Sequence, residues 1–515
     1  MKILFYSPYS LEANSLPVLL DEAVGYLQDS KNEVLFVTCS GEMKPCDTNA
    51  EQSPIRCTEC KISSRLLLNK IKYPNFNHKE LNYFKKTGVT EKIKGLKFDY
   101  ETIEDVKDKK YLGVNIGLGT VSSYVSMTRN LNPAFNETNK LFFDDSLKAS
   151  SLLVELSIEM INHFKPDLIC IFNGRYNSMR SLLEVTLIRK IELKVLECTF
   201  SYTREEQRKV EFINALPHDI DNNTPIIENN WKEYNASIRE KMSANFFEKR
   251  RKGEMASDTV YTVKQQKDLL PANFDTKKRN YVIFNSSEDE FFCVGDSFDK
   301  YKLFKDQVEG IKYLVNKTVD DTSIHYYLRV HPSLEPIPFY YHAGLKEIFS
   351  EFKNITVILA SSPISTYKLI DNCEKVFVFG STVGVEATYW HKPVILLGGA
   401  FYLHLNAAYY PKDLVELDCL LIEKLQPKSI LGALKYGLFI FGQRGIPYQY
   451  INFNYKIFKI AGKSLTVPRC FEYKGLIIPY VLLVAFFRII NIIPHLYFKK
   501  ITMKKMLVEQ PLIRS

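Results

Sequence analysis

The stretch IHYYLRVHP, residues 324–332, decides how the chain reads. Ile324, Tyr326, Leu328 and Val330 recur at every second position, the period of a strand. Pro332 lacks the N–H that a sheet ladder needs and stops it. The strand therefore delivers Arg329 and His331 to its carboxyl end. In an open α/β sheet that edge is where ligands bind.

The same pattern continues on both sides. RNYVIFNSS (279–287) is a strand, with a helix expected near 301–317. A helix near 341–352 leads to the strand ITVIL (355–359), and ISTYKLIDNC (364–373) is a short helix. KVFVFG (375–380) is a strand, TVGVEATYW (382–390) a helix and KPVILLG (392–398) a strand. Five apolar strands separated by helices predict a parallel, doubly wound sheet.

The first half predicts another. KILFYSPY (2–9) is a strand, followed by a helix over 15–29 and the strand EVLFVTC (33–39). An irregular, helix-rich region over 61–164 precedes a βαβ unit with strands at 167–172 and 193–198 and a helix over 176–190. A charged helical stretch over 231–254 leads to LLPANFD (269–275), where the domain boundary is expected. The fold class expected is thus α/β, two Rossmann-like doubly wound domains facing a cleft, over 1–270 and 271–425, with a helical basic and apolar tail over 426–515.

Composition agrees with a globular protein: 46% hydrophobic and 25% charged residues in 515 support large cores. The net charge of +9 is local. From Lys435 onward there are 13 of the 68 basic residues and only 2 of the 59 acidic ones, so the preceding body is close to neutral. The tail also holds thirteen apolar or small residues at 475–487, fewer than the roughly 20 a spanning helix needs. A basic, apolar tail suits an anionic membrane surface better than nucleic acid, and a segment lying on the inner face of the cell membrane is expected. MKILFYSPYS reads as a first strand, not a signal peptide, so a cytoplasmic protein is expected.

Three loops of the second domain share one sheet edge: Asn285–Glu290, Arg329–Pro332 and Gly380–Ala387. In the third, a strand ends at Gly380 and a helix starts near Thr382, whose amino end suits phosphate. Ser381 and Thr382 add hydroxyls, and Glu386, one turn on, suits two ribose hydroxyls. His331, flanked by Arg329 and Ser333, suits a diester oxygen or the departing phosphate of a nucleotide. Ser286 and Ser287 add polar contacts, and Asp289 is a candidate base. In the first domain, Asn173 and Arg175 of the FNGR turn (172–175) are candidates for an acceptor. Glu197 and Glu12, each after a strand, are alternative bases.

FNSSEDE, LRVHP and VFGSTVGVEATYWHKPVILLG together resemble the capsule polysaccharide biosynthesis proteins, a group of GT-B-type glycosyltransferases. IFNGR and the cysteine spacing near residue 50 also fit. The wider His–Pro-containing relatives include bacterial transferases that use CMP-sugars of Kdo and sialic acid type. The resemblance implies sugar transfer from a nucleotide-sugar donor to a capsular or lipopolysaccharide-type glycan, with a lipid-linked glycan as one form of acceptor. It implies a metal-independent mechanism with no catalytic cofactor: a helix terminus, Arg329 and His331 would hold the phosphate charge. An epimerase of the same architecture, or a non-catalytic assembly subunit, are the alternatives. Sialyltransferase-like relatives pair His–Pro with an acidic-acidic-glycine motif in the first domain. Here Glu288-Asp289-Glu290 lacks the glycine and opens the second domain, so the base stays open among Asp289, Glu197 and Glu12.

Cys39, Cys46, Cys57 and Cys60 follow the second strand with spacing C-x6-C-x10-C-x2-C. The close pair suits a tetrahedral site, and a structural zinc is the expectation, with four free thiols as the alternative.

Overall fold

The computed structural model describes residues 1–479 apart from 11–14, 50–51, 70, 200–207, 255–259, 335–344, 346–348, 351, 444, 455–456, 461–462, 467–469 and 474–475. Glu12, most of the helix expected near 341–352 and tail residues 480–515 lie outside the described residues. Among those described, no helix is long and apolar enough to cross a membrane.

The chain forms two compact units. Unit 1 comprises residues up to Pro217 and the described residues from Gly445 onward; unit 2 is His218–Arg444. The division falls at 217/218, not near residue 270. The cause is the charged stretch that sequence reading assigned to the first domain. Its helix Ala236–Lys252 is mostly polar, but Phe246 and Phe247 are fully buried. Burying each contributes roughly 2–3 kcal/mol, enough to dock an otherwise soluble helix. Phe246 meets Tyr436 and Phe247 stacks on Tyr389, so helix Leu431–Gly437, expected in the tail, also belongs to unit 2.

Unit 1 is built on a seven-stranded sheet. Strands β1 (Lys2–Ser7), β2 (Glu33–Thr38), β3 (Phe76–Glu80), β4 (Leu168–Phe172) and β5 (Glu192–Cys198) are parallel, in the order β5-β4-β1-β2-β3. β6 (Arg208–Ile213) adds antiparallel to β5. Ile3, Phe5, Val34 and Phe36 are buried against helix Ser15–Leu27, which explains the near-continuous apolar runs of these strands. β3 and β6 were not legible in the sequence, since Phe76–Glu80 is mostly polar and half-buried.

Unit 2 has five parallel strands: β7 (Arg279–Phe284), β8 (Ile324–Arg329), β9 (Ile355–Ile358), β10 (Lys375–Val378) and β11 (Val394–Leu396). Their order is β9-β8-β7-β10-β11. These are the five strands expected from sequence. Tyr281, Ile283, Tyr326, Leu328, Phe377 and Ile395 form its core. β12 (Ile446–Pro447) returns to unit 1, antiparallel to β6. The expected helical tail is helical at its start, over Leu431–Gly437, but beyond Gly445 its described part is not. Ile451–Asn454, Ile457–Ile460 and Lys463–Thr466 form an antiparallel meander, and Cys470–Tyr473 pairs with Leu476–Pro479. The alternation in Ile451-Asn452-Phe453-Asn454 has the strand period.

Candidate functional site

The site at the carboxyl edge of unit 2 starts from register. Arg329 pairs with Phe284, and Val378 pairs with the same Phe284 from the other side. Three adjacent strands therefore end level, with β7 in the middle, and release their loops together. Hydrogen bonds tie those loops to one another. Asn285 Oδ1 accepts from the His331 N–H at 2.8 Å, and Ser286 Oγ donates to the Phe379 carbonyl at 3.1 Å. Gln307 donates to Ser286 Oγ at 3.1 Å and accepts from the Ser286 N–H at 2.9 Å. Gly380 has φ +104, and a Cβ there would meet the Gly399 carbonyl at 2.5 Å, so only glycine lets β10 turn this closely past β11.

His331 is half-buried at this edge. Its Nδ1 accepts from the Ser333 N–H at 3.2 Å and contacts Ser333 Oγ at 2.6 Å. The hydrogen is therefore assigned to Nε2, leaving an N–H donor on the far side of the ring. Burial, with the positive charges of Arg329 and Arg250 nearby, pushes its pKa down to about 4. At neutral pH the imidazole is uncharged. Tyr261 packs edge-on against it, 5.0 Å between centroids.

Two residues expected to touch a ligand are used inward instead. Arg329 is 2% exposed; its guanidinium donates to the carbonyls of Leu359 and, at 3.1 Å, Ser362. Burial without a carboxylate pushes its pKa down to about 10. Glu386 is also 2% exposed. Its Oε1 accepts from Arg250 Nε at 2.9 Å and its Oε2 accepts from the Tyr367 hydroxyl. Both oxygens are engaged inside the unit, so Glu386 is a buried ion-pair member, not an open ribose contact. Arg250 is the residue that sequence reading missed. Its one signal was the basic run Lys249–Lys252 at the end of a charged helical segment.

Ser381 caps helix Thr382–Tyr389, accepting from the Val383 N–H at 3.4 Å, while its carbonyl accepts from Tyr402 at 2.6 Å. Thr382 is the first helical residue and is partly exposed. Asp289 is buried in a short 3-10 turn, accepting from Ser287 Oγ at 2.6 Å. A recess of about 380 Å³ lies beside these loops, lined by Ser286, Phe291, Phe298, Lys302, Gln307 and Gly399. The sequence also holds one Asp-x-Asp triplet, Asp219-Ile220-Asp221. Its members serve structure: Asp219 caps helix Ile220–Glu233, and Asp221 accepts from Lys300 and Tyr301.

The corresponding edge of unit 1 is chemically different. Asn173, at φ 60, donates to Glu197 Oε1 at 2.5 Å and accepts from the Arg175 N–H at 3.1 Å. Arg175 is buried, donating to the Tyr176 hydroxyl at 2.9 Å. Asn173, Arg175 and Glu197 are thus brought together around one turn. Beside them Asp47, not singled out by sequence, accepts from Tyr9, Ser123 and, at 2.5 Å, Ser178. Burial raises its pKa despite these three hydroxyls. The four loop cysteines line one cavity, but among the described residues no group of three or more His, Cys, Asp or Glu side chains is placed to hold a single metal ion.

Residues 261–405 match the family model of the capsule polysaccharide biosynthesis proteins, and over that stretch the chain is similar to them. This stretch contains all three loops of unit 2. A search of the curated proteins finds no match. Among solved structures, the chain is similar to the β-Kdo 2,7 transferase of KpsC from Thermosulfurimonas dismutans, at 12% identity over 66% of this chain and 89% of that one, TM-score 0.32. The β-Kdo 2,4 transferase of the same protein has 10% identity over 56% and 80%, TM-score 0.32. A UDP-GlcNAc 2-epimerase from Neisseria meningitidis has 9% identity over 85% and 99%, TM-score 0.23.

Proposed function

We propose that the protein is a glycosyltransferase that takes its sugar from a nucleotide-sugar donor and passes it to a capsular or lipopolysaccharide-type glycan. The observation that carries this reading is the convergence of the three loops. Asn285, Ser286 and His331 are tied together at one parallel-sheet edge, next to a capped helix, within the stretch that matches the capsule polysaccharide family.

In this reading the donor's phosphates meet the amino end of helix Thr382–Tyr389, with the Ser381 and Thr382 hydroxyls beside them. The neutral Nε2–H of His331 donates to the phosphate oxygen on which charge grows as the sugar leaves. Such a group accelerates transfer only by holding that charge more strongly in the transition state than before it. Ser286 and Ser287 shape the wall. Arg329 and Glu386 act from behind, fixing the backbone that carries the loops. No metal is needed for this charge balance. Unit 1 takes the acceptor at Asn173 and Arg175, with Glu197 or Asp289 as base. A lipid-linked acceptor would bring the protein to the inner face of the cell membrane, with the basic tail as its contact.

The test is a thermal-shift series with CMP-, UDP-, GDP- and dTDP-sugars, followed by product analysis with the donor that binds. A hundredfold excess over Kd should stabilise the protein by about 2.7 kcal/mol. Free nucleotide and a transferred or hydrolysed sugar are the expected products. An epimerised donor with its nucleotide intact would defeat the transferase reading; no shift with any donor would defeat nucleotide-sugar use altogether.

A further inference from the structure

Three strands of unit 1 also end level. Ser7 of β1 pairs with Thr38 of β2, and Tyr6 of β1 pairs with Ile171 of β4. Pro8 and Cys39, each one residue past its strand, line a cavity of about 500 Å³ together with side chains from the segment that follows β2. The turn that carries Asn173 and Arg175 leaves the same edge from β4. Two hydrogen bonds join that side to the cavity loop: Asn177 Nδ2 donates to the Pro45 carbonyl at 3.0 Å, and Ser178 Oγ donates to Asp47 at 2.5 Å. The crevice beyond the carboxyl ends of parallel strands is where such folds take their ligands.

The cavity is cationic. Lys44, Arg56 and Lys61 line it, and its described lining residues include no Asp or Glu. Arg56, Cys57, Cys60 and Lys61 stand at i, i+1, i+4 and i+5 of helix Pro54–Leu68, one face of a 3.6-residue helix. Lys61 reaches across to the end of β2: a Cβ on Gly41 would stand 4.0 Å from its Nζ. Lys44 and Arg56 are exposed and Lys61 is half-buried, so two charges are open to solvent and one is set deeper. Carboxylates nearby are engaged elsewhere. Glu42 accepts from the Ser40 hydroxyl at 2.9 Å, Glu80 accepts from Arg65 at 2.8 Å, and Asp47 accepts from its three hydroxyls. Among the described residues, the ion pairs of unit 1 engage none of the three cations. Burial pushes the Cys39 and Cys46 thiols up to about 12, so at neutral pH they add no compensating charge. Three like charges around one recess repel one another, and an anion between them relieves the repulsion.

Charge and lining select the anion. A single carboxylate would leave two of the three positive charges unmatched. A phosphate monoester carries about −1.5 to −2 at pH 7 and three acceptor oxygens, enough to meet one guanidinium fork and two ammonium groups. The rest of the wall is largely apolar, with Pro8, the buried Met43 and the four cysteines, and it suits the carbon side of an ester better than sugar hydroxyls. We propose that this cavity is a phosphate subsite that holds the acceptor by a phosphate ester, as a lipid-linked glycan or a glycan phosphodiester presents one. That the phosphate belongs to the acceptor rests on the transferase reading; the anion site itself stands without it.

Calorimetric titration of the full-length protein with hexyl phosphate, inorganic phosphate and hexanoate reads the site with no donor present. Hexyl phosphate should bind, less tightly as salt rises, and hexanoate about tenfold more weakly. Lys44→Gln, Arg56→Gln and Lys61→Gln should each raise the Kd for hexyl phosphate about tenfold, and the triple variant should lose binding. Lys31→Gln, at an exposed lysine outside the cavity, should leave the Kd unchanged. Far-ultraviolet circular dichroism and the melting midpoint show whether the triple variant is folded, and the single variants carry the test if it is not. Tighter binding of hexyl phosphate than of inorganic phosphate sustains the subsite and assigns the ester to a lipid; equal affinity sustains it and assigns the ester to the glycan. Wild-type affinity in the folded variants puts the phosphate elsewhere and overturns the proposal. So does hexanoate bound as tightly as hexyl phosphate, or wild-type protein that binds neither phosphate. Nucleotide-sugar binding is read separately by thermal shift, so the two readings fall independently.

Discussion

The two sheet edges treat buried charge in opposite ways. In unit 2 a buried cation and a buried carboxylate meet: Arg250 pairs with Glu386. What is left toward the loops includes a histidine N–H and serine hydroxyls. In unit 1 the carboxylate of Asp47 is held by three hydroxyls and a backbone N–H, and burial raises its pKa. The difference teaches where removal of a charge should hurt. A carboxylate that neutralises a buried cation is hard to replace; one held by neutral donors is easier to replace.

The largest effect should come from Glu386→Gln, which takes from the buried Arg250 the carboxylate to which its Nε donates. Breaking such a pair costs about 3–5 kcal/mol, seen as a lower midpoint in denaturant at unchanged slope. Replacing both partners, Arg250→Met with Glu386→Leu, should recover most of it. A single variant as stable as the wild type would show that the pair is open to solvent and that Glu386 is free for a ligand.

His331→Ala should lower turnover by on the order of a hundredfold while the Kd for the donor changes little. Equal losses in affinity and turnover would make His331 a ground-state contact instead. Its titration gives a further handle. The folded state holds His331 near pKa 4 and an unfolded chain near 6.5, so the unfolded chain takes up the proton first. Stability is therefore lost as pH falls from about 6.5 toward 4. His331→Gln should remove on the order of 2 kcal/mol of that loss between pH 7 and pH 4.5. Parallel pH curves for the two proteins would place the imidazole in solvent.

The smallest effect is expected from Asp47→Asn. A raised carboxyl pKa means the folded state binds the proton more tightly, so ionisation lowers stability as pH rises above the unfolded value. The amide should change stability at pH 7 by no more than about 1 kcal/mol, and any gain should vanish toward pH 4. A loss as large as that of Glu386→Gln would erase the contrast between the two edges.

Much of this was readable in the chain itself. The five strands of unit 2 were legible because parallel strands buried on both faces are short continuous apolar runs, and β7, β8 and β10 run out into polar loops. That put His331, Ser286 and Ser381 on one edge before any coordinates, and the resemblance over the same loops named a family that residues 261–405 do match. Polar strands such as Phe76–Glu80 escaped, since half-buried positions carry no strong pattern. What only the tertiary structure decided is direction and partnership. A period of two says that Arg329 stands at a strand end, not that its guanidinium turns back to Leu359 and Ser362. Helical spacing puts Glu386 one turn past a phosphate-binding terminus, and only the docking of Phe246 and Phe247 brings Arg250, 136 residues away in sequence, to claim it. Long-range pairing of buried charges leaves no local trace in sequence, because the low-dielectric surroundings that enforce it exist only once the chain has folded.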